Sequence, residues 1–241
     1  MSIIELIGFG PTGWGVMLLG ATLMTVAVTV TAMVIGAVFG AAVAAAKLSD
    51  NRALAMLGGI YTTVFRAVPE LLIIYLIYFG GSAAVTALGA MFGFSGFLGL
   101  PSFLAGALAV GVISGAYQAE VYRGAYLAIS RGELEAAASI GMSRAQRFRR
   151  IIIPQVLRYA IPGVGNVWQL TVKDSALISV TGLAELMRTS QVAAGSTRQY
   201  FLFFMVGGGI YLLLTSLSDQ VFAHAERRAN RSMPSAMMGG A

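Results

Sequence analysis

SRGELEAAASIGMSRAQRFRRIIIP, residues 130–154, is the one long charged segment in a chain that is otherwise mostly apolar. It reads as two short helices broken by a glycine. Ser130 with Glu133 makes one capping-box start, and Ser143 with Gln146 makes a second. Gly141 falls between them, where a left-handed cap ends the first helix. Pro154 lacks a backbone N–H and biases Ile153 away from helix, so the second unit is expected to stop there.

Outside this segment the chain leaves water. Of 241 residues, 57% are hydrophobic and only 11% charged, with a mean hydropathy of +0.79. A soluble domain carries about 25% charged residues. So few charges cannot dress a water-facing surface, and the chain reads as an all-α integral membrane protein. It has no Cys, hence no disulfide framework and no Cys-based metal site. The single His224 has no second ligand in sequence reach, so no metal site is expected. A net charge of +6 and a pI near 9.9 suit anionic lipid headgroups better than nucleic acid, because the basic residues cluster between apolar runs. The N-terminus begins with Glu5 and no basic stretch, and its apolar run is too long for a cleaved leader.

From Leu6 to Ala46 no residue is charged. That exceeds the ~20 residues of one crossing. The start is therefore expected to lie flat at the outer surface, with Thr12 as a cap, Trp14 at the interface, and a first span from about 18 to 45. The second span covers about 54 to 79, interrupted by Arg66, Pro69 and Glu70. Residues 80–100 read as a glycine-rich loop or short interfacial helix, with 83–92 open to being helical. The third span covers about 102–122 and the fourth about 159–180, with Pro162 near its start and Lys173 and Asp174 inside. A polar loop at 181–199 is expected to hold a short helix around 183–192. The last span covers about 200–222, followed by a tail with Arg227, Arg228 and Arg231. The expectation is one transmembrane domain over 1–241, with five transmembrane helices. Lys47, Arg52, the arginines of 123–158 and those of the tail share one side, whereas Arg188 and Arg198 lie opposite. That puts the N-terminus outside and the C-terminus in the cytoplasm.

Charges inside spans cost about 2.5–3.5 kcal/mol by insertion scales, so each must face protein, water or another charge. Arg66 and Glu70 share a helix face if Pro69 leaves the turn intact. They are either a structural pair or part of a broken helix lining a pathway. Glu120 and Arg123 are an end-of-span pair, or Glu120 is the acidic wall of a cavity for a cationic substrate. Lys173 and Asp174 point in different directions, so they do not neutralise each other. Asn166, Trp168 and Gln169 add polar capacity nearby.

Several of these words carry a resemblance. Glu135-Ala136-Ala137, then Gly141, then Ile151 and Ile153-Pro154, resembles the "EAA" signature of membrane subunits of bacterial ABC importers, with Ile153 where that family usually has Leu. Phe65 to Leu72, Gly115 to Ala125 (with Tyr117, Glu120 and Arg123), Tyr159 to Trp168 and Lys173 to Ser179 resemble elements of polar amino-acid permeases. The branch they resemble is that for histidine, lysine-arginine-ornithine and opines. The resemblance implies a type I importer permease fold in the bacterial cytoplasmic (inner) membrane. It implies that 130–154 is a cytoplasmic coupling segment, with Glu135, Ala136, Ala137 and Gly141 at the ATPase contact. Arg144 and Arg147 either pair with the ATPase's acids or anchor to lipid. Its implied partners are an ATPase subunit dimer, a second homologous permease subunit, a periplasmic solute-binding protein and the lipid bilayer. The substrate is an amino acid, and no nucleic acid is involved. The chain has no G-x-x-x-x-G-K-[ST] loop, so it holds no cofactor of its own; ATP and Mg belong to the partner. No catalytic residue is expected. The substrate pathway is expected to use Arg66, Glu70, Tyr117, Glu120, Lys173 and Asp174. The competing readings are a self-sufficient ion-coupled carrier, weakened by five spans and no inverted repeat, an intramembrane enzyme and a structural anchor.

Overall fold

The computed structural model describes residues 3–230, so Arg231 of the basic tail lies outside the described residues. Every regular element among them is helical. The short α1 (Ile3–Ile7) leads to α2 (Gly15–Lys47). Trp14, not Thr12, is the N-cap of α2, and no side chain caps it. Apolar burial anchors this end instead: Leu6 is buried with Leu186 and Phe203, and Trp14 meets Phe203 edge-on.

The central element is α6 (Ser102–Leu127), whose buried face is mostly Ala and Gly. Small residues let α2 lie close along it, as helices do where hydrocarbon offers no competing hydrophobic drive. At Gly40 a side-chain carbon would fall against Gln118, the Ala119 nitrogen and the Gly115 carbonyl. The close approach brings polar groups across the seam. Gln118 Nε2 donates to the Met33 carbonyl at 3.2 Å, and Ser114 Oγ to the Ala32 carbonyl at 3.4 Å.

Between these two lies a broken helix. α3 (Arg52–Ala67) starts under Asn51, whose side chain accepts from the Ala53 and Leu54 N–H groups. It ends at Val68, extended as a residue before proline tends to be. Pro69 then caps α4 (Glu70–Tyr75), a π turn covers Leu76–Gly80, and α5 (Gly81–Met91) continues without a break. Of the two readings of 80–100, the short helix is the one observed, over Gly81–Met91, and residues 92–100 are irregular. Of the glycines there only Gly93 and Gly96 adopt positive φ; Gly80, Gly81 and Gly89 sit in helical backbone. The irregular segment that returns after α5 is tied to it by the Leu98 N–H donating to Thr86 Oγ1 and the Leu100 N–H donating to Ser82 Oγ, each at 3.0 Å.

The charged segment forms α7 (Arg131–Ser139) and α8 (Arg144–Arg147), joined through Gly141 at φ 81°. The Ser143–Gln146 capping box is made on both sides. The Ser130 side chain makes no capping bond, so the first box is not formed. Nor does Pro154 end the second helix. A π turn, Phe148–Ile152, runs straight into α9 (Ile153–Ser175). Pro154 thus sits inside a continuous helical run, where it supplies no N–H to the ladder. The wider turn before it relieves the clash a proline ring makes with the carbonyl four residues back.

The expected fourth span thus begins at Ile153, and a 3₁₀ turn, Ala176–Thr181, closes it. α10 (Leu186–Thr197) is the short helix of the polar loop, displaced toward its end, and α11 (Tyr200–Asn230) runs past 222. Among the described residues, four helical stretches are long and apolar enough to cross a membrane: Gly15–Lys47, Glu70–Met91, Ser102–Leu127 and Tyr200–Asn230. α9 matches them in length, at 23 residues, but carries Arg158, Lys173 and Asp174.

The α2–α6 seam has backbone on the far side at Gly40, so nothing there can swing away. Gly40→Val is expected to cost about 1–3 kcal/mol, the usual penalty for overpacking. Thermal unfolding of the detergent-purified protein reads it, and an unchanged midpoint would mean the seam is loose.

Candidate functional site

Polar side chains meet at the loop end of the bundle. Lys47, the last residue of α2, reaches across to Glu120 on α6 and donates also to Thr62 Oγ1 on α3, at 2.8 Å. Arg123 Nε binds the other Glu120 oxygen at 3.0 Å. Lys47 and Glu120 side chains are only 17% and 22% exposed. One carboxylate therefore ties three helices, with both its oxygens engaged. The spacing of Glu120 and Arg123 predicted half of this. Nothing in that spacing points to Lys47, although its place at the very end of an apolar run is a usable signal.

Next to this junction is a cavity of about 390 Å³ lined by Lys47, Thr62, Thr63, Arg66, Tyr117 and Glu120. The Arg66 guanidinium lies over the Tyr117 ring, 5.4 Å from its centroid, a cation–π contact. Arg66 does not pair with Glu70: the break at Val68–Pro69 makes Glu70 the first residue of a new helix and removes the shared face. Glu70 instead comes within electrostatic reach of Tyr117 and Asp174, as Arg66 and Asp174 do of Tyr117. Arg66, Glu70, Tyr117 and Asp174 thus converge from α3, α4, α6 and α9. Among the described residues, Glu70 and Asp174 make no ion pair. Lys173 is exposed beside Asp174 without pairing to it. Two carboxylates without an ion pair thus lie within electrostatic reach of a tyrosine that a guanidinium covers, a lining that carries both signs of charge. Gln169 is used otherwise, donating to the Thr215 carbonyl at 3.2 Å and so joining α9 to α11.

The charged segment stands apart from this centre. Glu135, Ala136, Gly141 and Arg144 are exposed, Arg147 is half-buried and Ala137 is buried. Among the described residues none of its arginines forms an ion pair. No group of His, Asp or Glu that could hold a metal occurs among the described residues.

Sequence reading passed over Glu185. It is fully buried and caps α10, accepting from the Met187 and Arg188 N–H groups at 2.8 and 2.7 Å. Tyr211 of α11 donates to it at 2.9 Å. Burial pushes its carboxyl up from the ordinary range, with these hydrogen bonds pulling back. In the sequence it is one acid in the polar stretch 181–199, and only the packing of α2 and α11 around it encloses it.

A family model described as binding-protein-dependent transport system inner membrane component matches residues 36–231. The octopine transport system permease protein OccQ of Rhizobium radiobacter is 54% identical over 233 residues, covering 97% of this chain and 98% of that protein. The histidine/lysine/arginine/ornithine transport system permease protein HisQ of Escherichia coli K12 is 39% identical over 214 residues, covering 89% and 93%. A solved structure of an amino acid ABC transporter with histidines superposes with a TM-score of 0.76 at 31% identity, covering 89% of this chain and 95% of that one.

Glu120→Gln leaves Lys47 in a largely enclosed position with no carboxylate. With some water still reaching the pair, the expected loss is about 2 kcal/mol. In a chain of this size that is a fall of roughly 4–8 °C in melting midpoint. Adding Lys47→Met removes the stranded charge and should recover part of the loss; equal midpoints for wild type and Glu120→Gln would show the junction carries no load.

Proposed function

Because the chain belongs to the family of binding-protein-dependent transport system inner membrane components, we propose that it forms half of the translocation pathway of an ATP-driven importer for cationic amino acids or opines. It is a multi-pass permease subunit and not an enzyme in its own right. In this reading the whole of 1–241 is one membrane domain crossing five times, with α3 and the α4–α5 stretch together making the second, broken span. The N-terminus is outside. The basic end, with Lys47, Arg52 and the 123–158 arginines, faces the cytoplasm. The mate is a homologous permease subunit, and a separate ATPase dimer handles ATP and Mg. A periplasmic binding protein delivers the substrate.

One observation carries the substrate class. Glu70, at the start of the broken helix's second part, comes within electrostatic reach of Asp174; among the described residues neither makes an ion pair, and Lys173 acts on Asp174 only through space. Carboxylates left so in a span are costly, and a cationic group of the cargo offsets that cost while it is bound. Arg66 over Tyr117 is placed to take a carboxylate of the same molecule. Lys173 and Glu120 complete the polar lining, Glu120 as the tie that closes its lower end. OccQ and HisQ are named for octopine and for histidine, lysine, arginine and ornithine, all within the class this lining suits.

The lever is residues 130–154. Glu135, Ala136 and Gly141 present a small, exposed surface for the ATPase, with Ala137 seating α7 on the body. Arg144 and Arg147 supply charge for the ATPase's acids. ATP-driven closure of that partner displaces the segment, and the spans exchange between outward- and inward-facing arrangements.

Reconstituting the complete transporter in proteoliposomes, with binding protein outside and ATP inside, tests both parts. Asp174→Asn should lower uptake of a labelled cationic amino acid at least tenfold while the complex still assembles. Uptake at the wild-type rate, or uptake without ATP, overturns the reading. Gly141→Val, at a φ that costs a β-branched residue about 1–2 kcal/mol locally, should cut ATP-dependent uptake while the melting midpoint falls by no more than the roughly 2–8 °C that this cost implies. Full coupling in that variant would remove 130–154 from the lever role.

A further inference from the structure

On the outer side of the α2–α6 seam is a second cavity, an apolar groove of about 510 Å³. Ala37, Ala41, Ala44 and Ala45 of α2 make its floor; Tyr126, Phe148, Ile153 and Leu157 are among its walls. Phe148, Ile153 and Leu157 remain 55%, 38% and 61% exposed. The groove belongs to neither the polar centre nor the surface of α7.

Its occupant follows from shape and charge. One turn of helix with side chains, about 10 Å across and 5.4 Å tall, fills roughly 400 Å³. The groove therefore seats little more than one turn of a neighbouring helix, whereas a flexible hydrocarbon chain can thread its length. Charge is concentrated at one end. Arg149 is four residues before Ile153 and so shares its helix face in either α or π geometry. It is exposed and makes no ion pair among the described residues, as are Arg144 and Arg150 close by in sequence. The Tyr122 hydroxyl is turned inward to Gln118 Oε1, at 2.6 Å, which leaves its ring for the groove. An apolar slot between spans with a basic mouth at the membrane surface is the arrangement that holds an anionic lipid.

We infer that this groove is a binding site for an anionic phospholipid, with one acyl chain along the alanine floor and the phosphate at Arg149. The lipid would fill the gap between the α2–α6 seam and the helix carrying the charged segment, so that the bilayer itself braces the start of α9.

The chain has no Cys, so Ala41→Cys can carry a thiol-linked benzophenone without competing sites in this subunit. The assembled transporter is placed in vesicles of phosphatidylcholine with 30% phosphatidylglycerol and irradiated, and the adducts are identified by mass spectrometry. The expected adducts are phospholipid, with phosphatidylglycerol several-fold above its share of the bilayer. Arg149→Gln should return it to that share. Capture of a protein subunit at position 41 would make the groove a subunit interface and overturn the inference. Phosphatidylglycerol at its bulk share in the parent protein, or enrichment that survives Arg149→Gln, would overturn it as well.

Discussion

Hydrocarbon gives a charged side chain no solvent, and the plan of this molecule follows from how each charge meets that condition. Glu120 is saturated: Lys47 and Arg123 take both its oxygens, and Thr62 shares the lysine. Glu185 is sunk completely and held by two backbone N–H groups and a tyrosine hydroxyl. Glu70 and Asp174 have no such arrangement. The contrast separates carboxylates that hold helices together from carboxylates left available, and it does so without reference to sequence position. A fully satisfied buried group specifies one packing, whereas an unsatisfied one favours whatever ligand completes it.

The backbone shows the same division. α6 is an unbroken 26-residue helix, buried along much of its length against α2. It is the fixed member because small residues let its neighbour approach to backbone distance. The irregular backbone is elsewhere: at Val68–Pro69, in the π turns Leu76–Gly80 and Phe148–Ile152, and in the 3₁₀ turn Ala176–Thr181. Two of these interruptions directly flank the residues of the polar centre, since Glu70 follows one and Asp174 precedes another. Non-helical backbone at membrane depth persists only where protein or water covers the freed groups. Its position here coincides with the uncommitted charges.

Much of this was legible from the residues. Apolar run lengths identified α2, α6 and α11; Pro69 marked the break; the Ser143–Gln146 box and Gly141 gave the turn in the charged segment. The failures have a common cause. Proline was weighed as it behaves in water, where Pro154 is a stop signal, and the glycines of 80–100 left loop and short helix both open. In a bundle where backbone groups have no alternative to hydrogen bonding one another, helix persists through such residues and the strain is taken up by a π turn. Long-range partners were the other blind spot. Spacing can pair Glu120 with Arg123, three residues away, but nothing local joins it to Lys47, and nothing local encloses Glu185.

The position of the charged segment has a mechanical consequence. Residues 128–130 are all that separate α6 from α7, and they are pinned: Ile129 is buried, and the Ala128 and Ile129 N–H groups donate to the Gly124 and Tyr126 carbonyls. Force on α7 therefore enters α6 directly, at the end where Glu120 gathers α2 and α3. On the other side of the segment the π turn carries α8 into α9, whose far end bears Asp174. A single segment so addresses both the tie that closes the bundle and the helix that presents the free carboxylate. The Val68–Pro69 break, lying between these two, is the place where the backbone has no continuous hydrogen-bond ladder to resist. Arg66 and Glu70 stand on either side of that break, so no helical ladder fixes their separation.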